Sequence, residues 1–171
     1  YHQELSIEVI QKALANYQRA IVFDNSKFDR YMRGEADLST SELNGWSLFK
    51  SEKLNCIACH SGFNFTNYAF ENNGFFETYS DSGRYLINRN LEDIGKFKVP
   101  TLRNIAITYP YMHDGSVLSL EEIIDSYADG GKRSKTQSDH ISGFALSAEE
   151  RNDLVAFLHS LTDNRFLENA Y

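Results

Sequence analysis

Residues 56–60 of the chain read Cys-Ile-Ala-Cys-His, and this C-x-x-C-H stretch decides how the rest of the sequence is interpreted. Two residues between the thiols allow both sulfur atoms to add to the vinyl groups of one haem, and the adjacent imidazole can then bind the haem iron. Cys56 and Cys59 are the only cysteines in the 171 residues. The motif therefore predicts a covalently attached c-type haem with His60 as its proximal iron ligand.

Three other uses of a C-x-x-C pair fit the sequence less well. A structural zinc site needs four ligands, and His113, His140 and His159 provide no closely spaced second pair. A thioredoxin-like redox pair follows a strand in an alternating strand and helix pattern, which the sequence lacks. A disulfide between the two cysteines stays open as an alternative, but it assigns no role to His60.

The composition is that of an ordinary globular protein with many aromatic residues. The aromatic fraction of 13% can supply the apolar, stackable walls that a porphyrin needs. Seventeen Lys and Arg against 24 Asp and Glu give a net charge of −7, which disfavours nucleic acid and anionic membrane surfaces as partners. No apolar run approaches the roughly 18 residues of a membrane-spanning helix. We therefore predict neither a nucleic-acid nor a membrane partner.

The cellular location follows from the haem. Haem of the c type is attached on the outer side of the bacterial cytoplasmic membrane, so we expect a periplasmic, exported protein. Residues 1–4 (Tyr-His-Gln-Glu) lack the basic and apolar start of a signal peptide, so the signal is expected to be absent from this chain.

Three helix starts carry the same capping signal, a serine followed three residues later by a glutamate. These pairs are Ser39 with Glu42, Ser119 with Glu122 and Ser147 with Glu150. The apolar spacing that follows predicts helices over 40–50, from 120 to the glycines at 130 and 131, and over 148–161. A long N-terminal helix is predicted as well, with a turn near residues 24 and 25. Its apolar stripe consists of Ile7, Ile10, Leu14, Tyr17 and Ile21.

Residues 61–98 follow neither the helical nor the strand period, and we predict a long irregular segment with a short hairpin. A stretch of this length needs something to organise it, and a bound haem would do so. The predicted fold is an all-α, cytochrome c-like helical domain with long irregular loops around one covalent haem. We assign residues 39–171 to this domain and residues 1–38 to a helical lead-in or linker, within one structural unit.

The residue opposite His60 on the iron separates electron transfer from catalysis, and residue types alone leave it open. The candidates are Met112, His113, Tyr127, Met32 and an unfilled position. Spacing favours Met112, which lies 52 residues after His60. Tyr127 lies on the apolar face of its helix, where a plain core tyrosine is the competing interpretation.

Several separate stretches resemble one family. Residues 97–104 read FKVPTLRN and residues 108–115 read TYPYMHDG; further likeness lies in 25–31 (NSKFDRY), 45–49 (GWSLF) and the helix over 154–163. In this order they resemble the C-terminal half of the bacterial di-haem cytochrome c peroxidases and of their relatives that form tryptophan tryptophylquinone. The likeness covers nearly the whole chain.

The resemblance implies a distal ligand. The peroxidases of this family place a Met one helix beyond the H-D-G motif, whereas the quinone-forming branch places a Tyr there, and Tyr127 occupies the corresponding position. A phenolic oxygen favours the oxidised metal more than a thioether does. On this interpretation Met112 forms part of the pocket wall.

The resemblance also implies a calcium ion between two haems, bound partly by the backbone carbonyls of Thr108 and Pro110. Arg103 and Lys98 are candidate partners of the haem propionates because of their charge, and the guanidinium fork of arginine matches a carboxylate. His113 could orient a propionate or a loop, and a structural histidine is the alternative.

Members of this family carry two C-x-x-C-H motifs, whereas this chain carries one. We therefore expect a domain cut from a longer protein, with a second haem domain missing from the chain. The expected function is that of a haem oxidoreductase that relays electrons or stores oxidising equivalents for hydrogen peroxide reduction. A small electron-donor protein would be its partner, and a homodimer is a further option.

Two alternatives to this function stay open at this stage. One is a mono-haem electron-transfer cytochrome that uses Met112 and has no peroxidase activity of its own. The other is a binding module without haem.

Overall fold

Six helices and two short strands make up the regular structure of residues 4–165, the part of the chain that the computed structural model describes. The helices are α1 (Ile7–Ala20), α2 (Lys27–Met32), α3 (Thr40–Lys50), α4 (Tyr85–Asn88), α5 (Leu120–Ala128) and α6 (Ala148–Ser160). Strands β1 (Phe70–Glu71) and β2 (Phe97–Lys98) form one antiparallel pair, and 3-10 turns cover Cys56–Ala58, Leu91–Asp93 and Ile105–Ile107. The mainly helical fold predicted from the sequence is confirmed. Residues 1–3 of the predicted lead-in and residues 166–171 of the predicted cytochrome domain lie outside the described residues.

The predicted capping signals start the helices they were assigned to. Ser39 and Ser147 each accept a hydrogen bond from the backbone N–H three residues on, and the carboxylates of Glu42 and Glu150 accept one from the serine N–H. Ser119 makes only the first of these bonds, from the N–H of Glu122. The side chains of these serines and glutamates satisfy backbone donors that a helix start leaves free, which is why the boundaries could be read from the sequence.

The core forms where α3 crosses α6. Gly45 of α3 lies against the backbone carbonyl of Asp153 in α6, at a separation that leaves no room for a Cβ. This close approach brings Phe49 and Phe157 together, with ring centroids 5.1 Å apart. Phe157 is fully buried. The crossing of these two helices is therefore fixed by one small residue and a set of aromatic rings.

Helix α2 packs into the same core, although it precedes residue 39. Phe28 lies 5.5 Å from Phe157 and 5.0 Å from Trp46, measured between ring centroids. Asp29, the next residue, forms a buried ion pair with Arg103. The division of the chain at residue 38 stays a prediction.

Helix α1 differs from the others because none of its residues is buried. The predicted N-terminal helix and the turn after it are confirmed, since α1 ends at Ala20 and α2 is capped by Ser26. The apolar stripe of α1 nevertheless faces outward: Leu14 is 57% exposed and Tyr17 68% exposed.

The irregular segment over 61–98 is also confirmed, with two differences in detail. The strand pair joins the two ends of the segment, with Phe70 opposite Lys98 and Glu71 opposite Phe97, rather than forming a local hairpin. The short helix α4 lies between the strands and was not predicted. Its four residues are too few to produce a helical periodicity in the sequence.

Candidate haem site

The C-x-x-C-H stretch lies on a turn that begins shortly after α3. The segment that follows α3 ends at Asn55, which adopts a left-handed conformation (φ 53°). Cys56–Ala58 then form a 3-10 turn. The backbone N–H groups of Cys59 and His60 both donate to the carbonyl of Cys56, at 3.3 and 2.9 Å. Residues three apart on such a turn project from the same side, so the two sulfur atoms share one face.

Both thiols are free and partly buried. Burial raises the pKa of Cys56 to about 12 and that of Cys59 to about 11. Redox-active and metal-binding cysteines need lowered pKa values and a nearby positive charge, and neither applies to this pair. Two unpaired thiols on one face are compatible with addition to the two vinyl groups of one haem.

His60 is held in the orientation that a proximal ligand needs. Its Nδ1 lies 3.1 Å from the carbonyl oxygen of Phe65. Burial lowers the pKa of His60, while the carbonyls of Phe65 and Pro100 oppose that shift. A neutral imidazole that donates from Nδ1 keeps the lone pair of Nε2 available for a metal, as is usual for histidine ligands.

Tyr127 lies on α5 within electrostatic range of the two cysteines. Burial raises the pKa of Tyr127 to about 12, and the side-chain amide of Asn73 opposes this by donating to the phenolic oxygen. The charges of ionised Cys56 and Cys59 would raise the pKa further, which places the phenol near the cysteine turn. The role of Tyr127 as distal ligand, which the resemblance implies, stays a prediction.

Met112 and His113 occupy different surroundings in the loop before α5. The thioether sulfur of Met112 accepts a hydrogen bond from Asn73 Nδ2 at 3.3 Å, and the side chain packs partly buried against the core. The imidazole of His113 stacks on Phe97, with ring centroids 4.1 Å apart and planes 17° apart. Met32, the remaining candidate, is 63% exposed on α2.

Arg103 is a buried residue whose guanidinium is already largely engaged. Nη1 and Nη2 donate to the two carboxylate oxygens of Asp29 at 2.8 and 2.9 Å, and Nε donates to the carbonyl of Phe63 at 2.8 Å. Two of the five N–H donors of the guanidinium are left for another acceptor. Lys98 donates to the carbonyl of Val99 at 3.1 Å. The proposed contacts of both residues with haem propionates stay predictions.

The two carbonyl groups assigned to calcium lie at the surface. Thr108 and Pro110 are exposed, and the peptide bond between Tyr109 and Pro110 is cis. Within residues 4–165 no cluster of three or more His, Cys, Asp or Glu side chains could hold a metal ion. A calcium ion here would depend on backbone carbonyls and on ligands from elsewhere, and it stays a prediction.

Two residues of the site were not found from the sequence. Phe65 contributes a backbone carbonyl, which leaves no trace in the residue type. Asn73 lies in the irregular segment, where no period or motif distinguishes it from the neighbouring asparagines. Both reach the site through tertiary structure.

Comparison with known proteins gives the same class as the site. The sequence matches the family model described as cytochrome c over residues 43–162, and a di-haem cytochrome c peroxidase model over residues 1–37. The chain therefore belongs to the cytochrome c family, and the cofactor of that family is covalent haem c. No helix found between residues 4 and 165 has the length and apolar character to cross a bilayer.

Named relatives narrow this class to the di-haem peroxidases and MauG proteins. The chain is 33% identical to cytochrome c551 peroxidase of Nitrosomonas europaea, an alignment that covers 95% of this chain and 46% of the relative. It is 37% identical to methylamine utilization protein MauG of Methylorubrum extorquens, covering 89% of this chain and 43% of the relative. The resemblance predicted from the sequence is confirmed, and the chain spans about half the length of the curated relatives it matches.

Solved structures agree with this placement. A MauG-like protein associated with microbial copper homeostasis superimposes with a TM-score of 0.83 and 36% identity, covering 94% of this chain and 58% of that one. The diheme peroxidase BthA of Burkholderia thailandensis shares the fold, with a TM-score of 0.67 at 22% identity over 84% of this chain and 47% of that one.

Proposed function

We propose that this chain is one haem-bearing half of a di-haem peroxidase-like oxidoreductase. The observation that carries the proposal is the arrangement around His60: a neutral imidazole tied through Nδ1 to Phe65, directly after two free thiols on one turn. Cys56 and Cys59 would hold haem c by thioether bonds, His60 would be its proximal ligand and Tyr127 its distal ligand. The bound haem supplies one-electron redox chemistry at its iron.

The protein's own residues would fix the ligands and keep water out. The carbonyl of Phe65 would fix the orientation of the His60 imidazole and leave Nε2 available to bind iron. The Asn73 side chain lowers the pKa of Tyr127 and so partly offsets the rise that burial causes. Cys56 packs against the buried core that includes Phe49 and Phe157, and this core would keep solvent from one side of the site.

The whole protein would reduce hydrogen peroxide with electrons from a small donor protein. This half would relay those electrons or store oxidising equivalents, since the resemblance is to the half that electrons normally enter. A periplasmic location belongs to the same proposal, because c-type haem is attached outside the cytoplasmic membrane.

A second haem domain would complete the protein on the N-terminal side. The di-haem peroxidase model matches residues 1–37, and the apolar stripe of α1 in that region is exposed. An amphipathic helix of 14 residues is marginal without a packing partner. The upstream domain would supply that partner, and the exposed carbonyls of Thr108 and Pro110 would reach the calcium ion between the two haems.

Mass spectrometry of the denatured protein tests the covalent haem. The mass should exceed that of the polypeptide by one haem, and the double variant Cys56→Ala with Cys59→Ala should lack this increase. A parent protein that carries no added mass would contradict the proposal.

A peroxide assay tests the redox role. Oxidation of a reduced small cytochrome by hydrogen peroxide should require the haem-loaded protein and should fall in the variant His60→Gly. His140→Gly is the matched control, because His140 is an exposed histidine outside the site. Donor oxidation that is equally fast in both variants would contradict a role for His60.

A mono-haem electron-transfer cytochrome is the second candidate, and one observation favours it. Met112 packs partly buried against the core, and its sulfur accepts a hydrogen bond from Asn73 Nδ2 at 3.3 Å. A thioether ligand suits electron transfer and raises the reduction potential. The weak far-red absorption band that accompanies methionine–iron bonding in oxidised haem proteins would support this candidate, and its absence would support Tyr127.

A further inference from the structure

The carbonyl that contacts His60 belongs to a residue with an unfavourable backbone conformation. Phe65 has a positive φ of 50°, in the left-handed region that bulky residues rarely adopt. Such a conformation persists only where the surroundings impose it, and it is typical of functional sites. Here it occurs at the residue whose carbonyl oxygen lies 3.1 Å from Nδ1 of His60.

Side chains hold the two carbonyls that precede this one. Nε of Arg103 donates to the carbonyl of Phe63 at 2.8 Å. The hydroxyl of Thr101 donates to the carbonyl of Asn64 at 2.6 Å. Together with the carbonyl of Phe65, three consecutive backbone acceptors each have a side-chain partner. Because peptide groups are planar, fixing the first two carbonyls restricts the direction of the third.

The two donors are themselves held in place. The hydroxyl oxygen of Thr101 accepts from the N–H of Arg103 at 3.1 Å, which joins both donors. Asp29 binds the two terminal nitrogens of the guanidinium at 2.8 and 2.9 Å. The guanidinium also lies over the ring of Phe63, 3.9 Å from its centroid. A planar fork bound in this way offers Nε to the loop in one direction.

The ring of Phe65 anchors the loop from the other side. Phe65 is 5% exposed, and its ring centroid lies 5.6 Å from that of Phe28 and 6.2 Å from that of Phe157. Phe28 precedes Asp29 in α2, so the ring contact and the ion pair both tie the loop to the same helix.

We propose that Arg103 and Thr101 are positioning residues that set the hydrogen bond between the Phe65 carbonyl and His60, and through it the electron donation of the proximal ligand. This inference rests on the proposed haem function, and it gives Arg103 a role apart from a propionate contact. A well-directed acceptor at Nδ1 raises the basicity of the imidazole, and a more basic ligand favours the oxidised metal. A loosened loop would weaken that bond and favour the reduced metal.

Thr101→Val tests the proposal in the haem-loaded protein, because it removes the hydroxyl of an exposed residue and keeps the side-chain shape. The equilibrium constant for reduction of the haem should rise by about tenfold, which corresponds to about 59 mV for one electron. In NMR spectra of the reduced protein, the Nδ1 proton of His60 should exchange faster with solvent. Thr101→Ser, which keeps the donor, should restore most of the parent values.

Arg103→Lys is the second test. Lysine keeps the positive charge of the buried ion pair, but its single nitrogen cannot reproduce the fork that binds the carboxylate and the Phe63 carbonyl together. The haem potential should shift upward and the His60 proton should exchange faster, as in Thr101→Val.

Two comparisons separate this role from charge and from a general effect on folding. Arg151→Lys changes a more exposed pair, in which the guanidinium likewise binds both carboxylate oxygens of Asp125, and it should leave both measurements unchanged. Thr101→Val changes no charge, so its shift in potential cannot come from a direct electrostatic effect on the haem.

Failure of this proposal can be told from failure of the haem function. Parent values of the potential and of the proton exchange in either Thr101→Val or Arg103→Lys overturn the positioning role and leave the covalent haem intact. A protein without covalent haem overturns the proposed function, and with it the inference that rests on that function.

Discussion

At the scale of single residues, one buried ion pair joins helix α2 to the loop between strand β2 and the 3-10 turn at Ile105–Ile107. Arg103 and Asp29 meet through two parallel hydrogen bonds, and their side chains are only 6% and 10% exposed. Removing one partner of such a pair leaves an uncompensated buried charge. The pair therefore matters to stability independently of any contact with haem.

We expect Arg103→Leu to lower the free energy of unfolding by about 3 to 5 kcal/mol, because Asp29 would stay buried without its partner. Arg151→Leu is the matched control: it removes an exposed pair with Asp125 and should cost less than about 1 kcal/mol. Denaturant titration of both variants measures the difference. Equal losses would mean that the Arg103 pair adds no more than a surface pair.

Acid should weaken the protein through the same carboxylate. Burial pushes the pKa of Asp29 upward, but hydrogen bonds from Arg103 and Ser26 outweigh it and hold the pKa below the ordinary value of 3.8. A lowered folded-state pKa stabilises the protein above pH 3.8, and this contribution is lost as the pH falls through the folded-state value. Unfolding measured from pH 6 downward should show a shallower acid loss in Asp29→Asn than in the parent, and parallel curves would contradict this.

At the scale of elements, the crossing of α3 and α6 depends on a glycine that the sequence does not mark as special. Gly45 has ordinary helical geometry, yet a Cβ there would collide with the carbonyl of Asp153 and with Phe157. The glycine is therefore required by the neighbouring helix and not by its own backbone conformation.

Gly45→Ala should separate the two helices and cost about 1 to 3 kcal/mol of unfolding free energy, as overpacking of a tight core does. The higher helix propensity of alanine would recover at most about 1 kcal/mol. Ser47→Ala on the exposed face of α3 should stay within about 0.5 kcal/mol of the parent. Thermal unfolding of both variants measures these changes in stability. A Gly45→Ala variant more stable than the parent would show that α3 and α6 can move apart without loss of packing.

Helix α1 has an exposed apolar stripe that the proposed upstream haem domain would cover. In a longer protein that carries this proposed domain, we expect Leu14→Glu to lower the free energy of unfolding by about 1.5 to 3 kcal/mol, because a leucine buried at the interface would be replaced by a charge. Asn16→Glu, on the opposite face of α1, should have little effect.

Hydrogen exchange along α1 checks this expectation. The amides of Ile7–Ala20 should exchange fast in the present chain and slowly in the longer protein. If Leu14→Glu instead converts a dimer of the present chain into a monomer, the partner of α1 is a second copy and the domain interpretation is wrong.

At the scale of the whole molecule, the haem should organise the irregular part of the chain. Residues 61–98 hold only two short strands, α4 and one 3-10 turn, yet Phe65 and Asn73 from this segment reach the site. Cofactor binding to the folded state alone stabilises that state, and covalent attachment makes the effect permanent.

The double variant Cys56→Ala with Cys59→Ala should therefore lose protection from hydrogen exchange mainly within 61–98. Helices α3 and α6 should retain theirs, because their contact rests on aromatic packing around Phe157. Comparing exchange in the variant and the haem-loaded parent measures this. Uniform loss across the chain would mean that haem is required for the core as well.

Much of the site was predictable because its chemistry is local. Cys56, Cys59 and His60 lie within five residues, so one motif predicted both the cofactor and its proximal ligand. The capped helices were predictable for the same reason, since serine and glutamate satisfy backbone groups three residues away. The choice of distal ligand between Met112 and Tyr127 does not follow from residues close together in the chain. Residue types and spacing alone favoured Met112.

The sequence by itself determined the haem class, the main helices and the irregular character of residues 61–98, because each depends on groups close together in the chain. Only the tertiary structure decided that Phe65 orients His60, that Arg103 pairs with Asp29 and that Asn73 donates to the sulfur of Met112. These contacts join residues from separate loops and helices. They exist because packing of α3 against α6 and anchoring of the loops bring those segments together, and no short-range pattern encodes that approach.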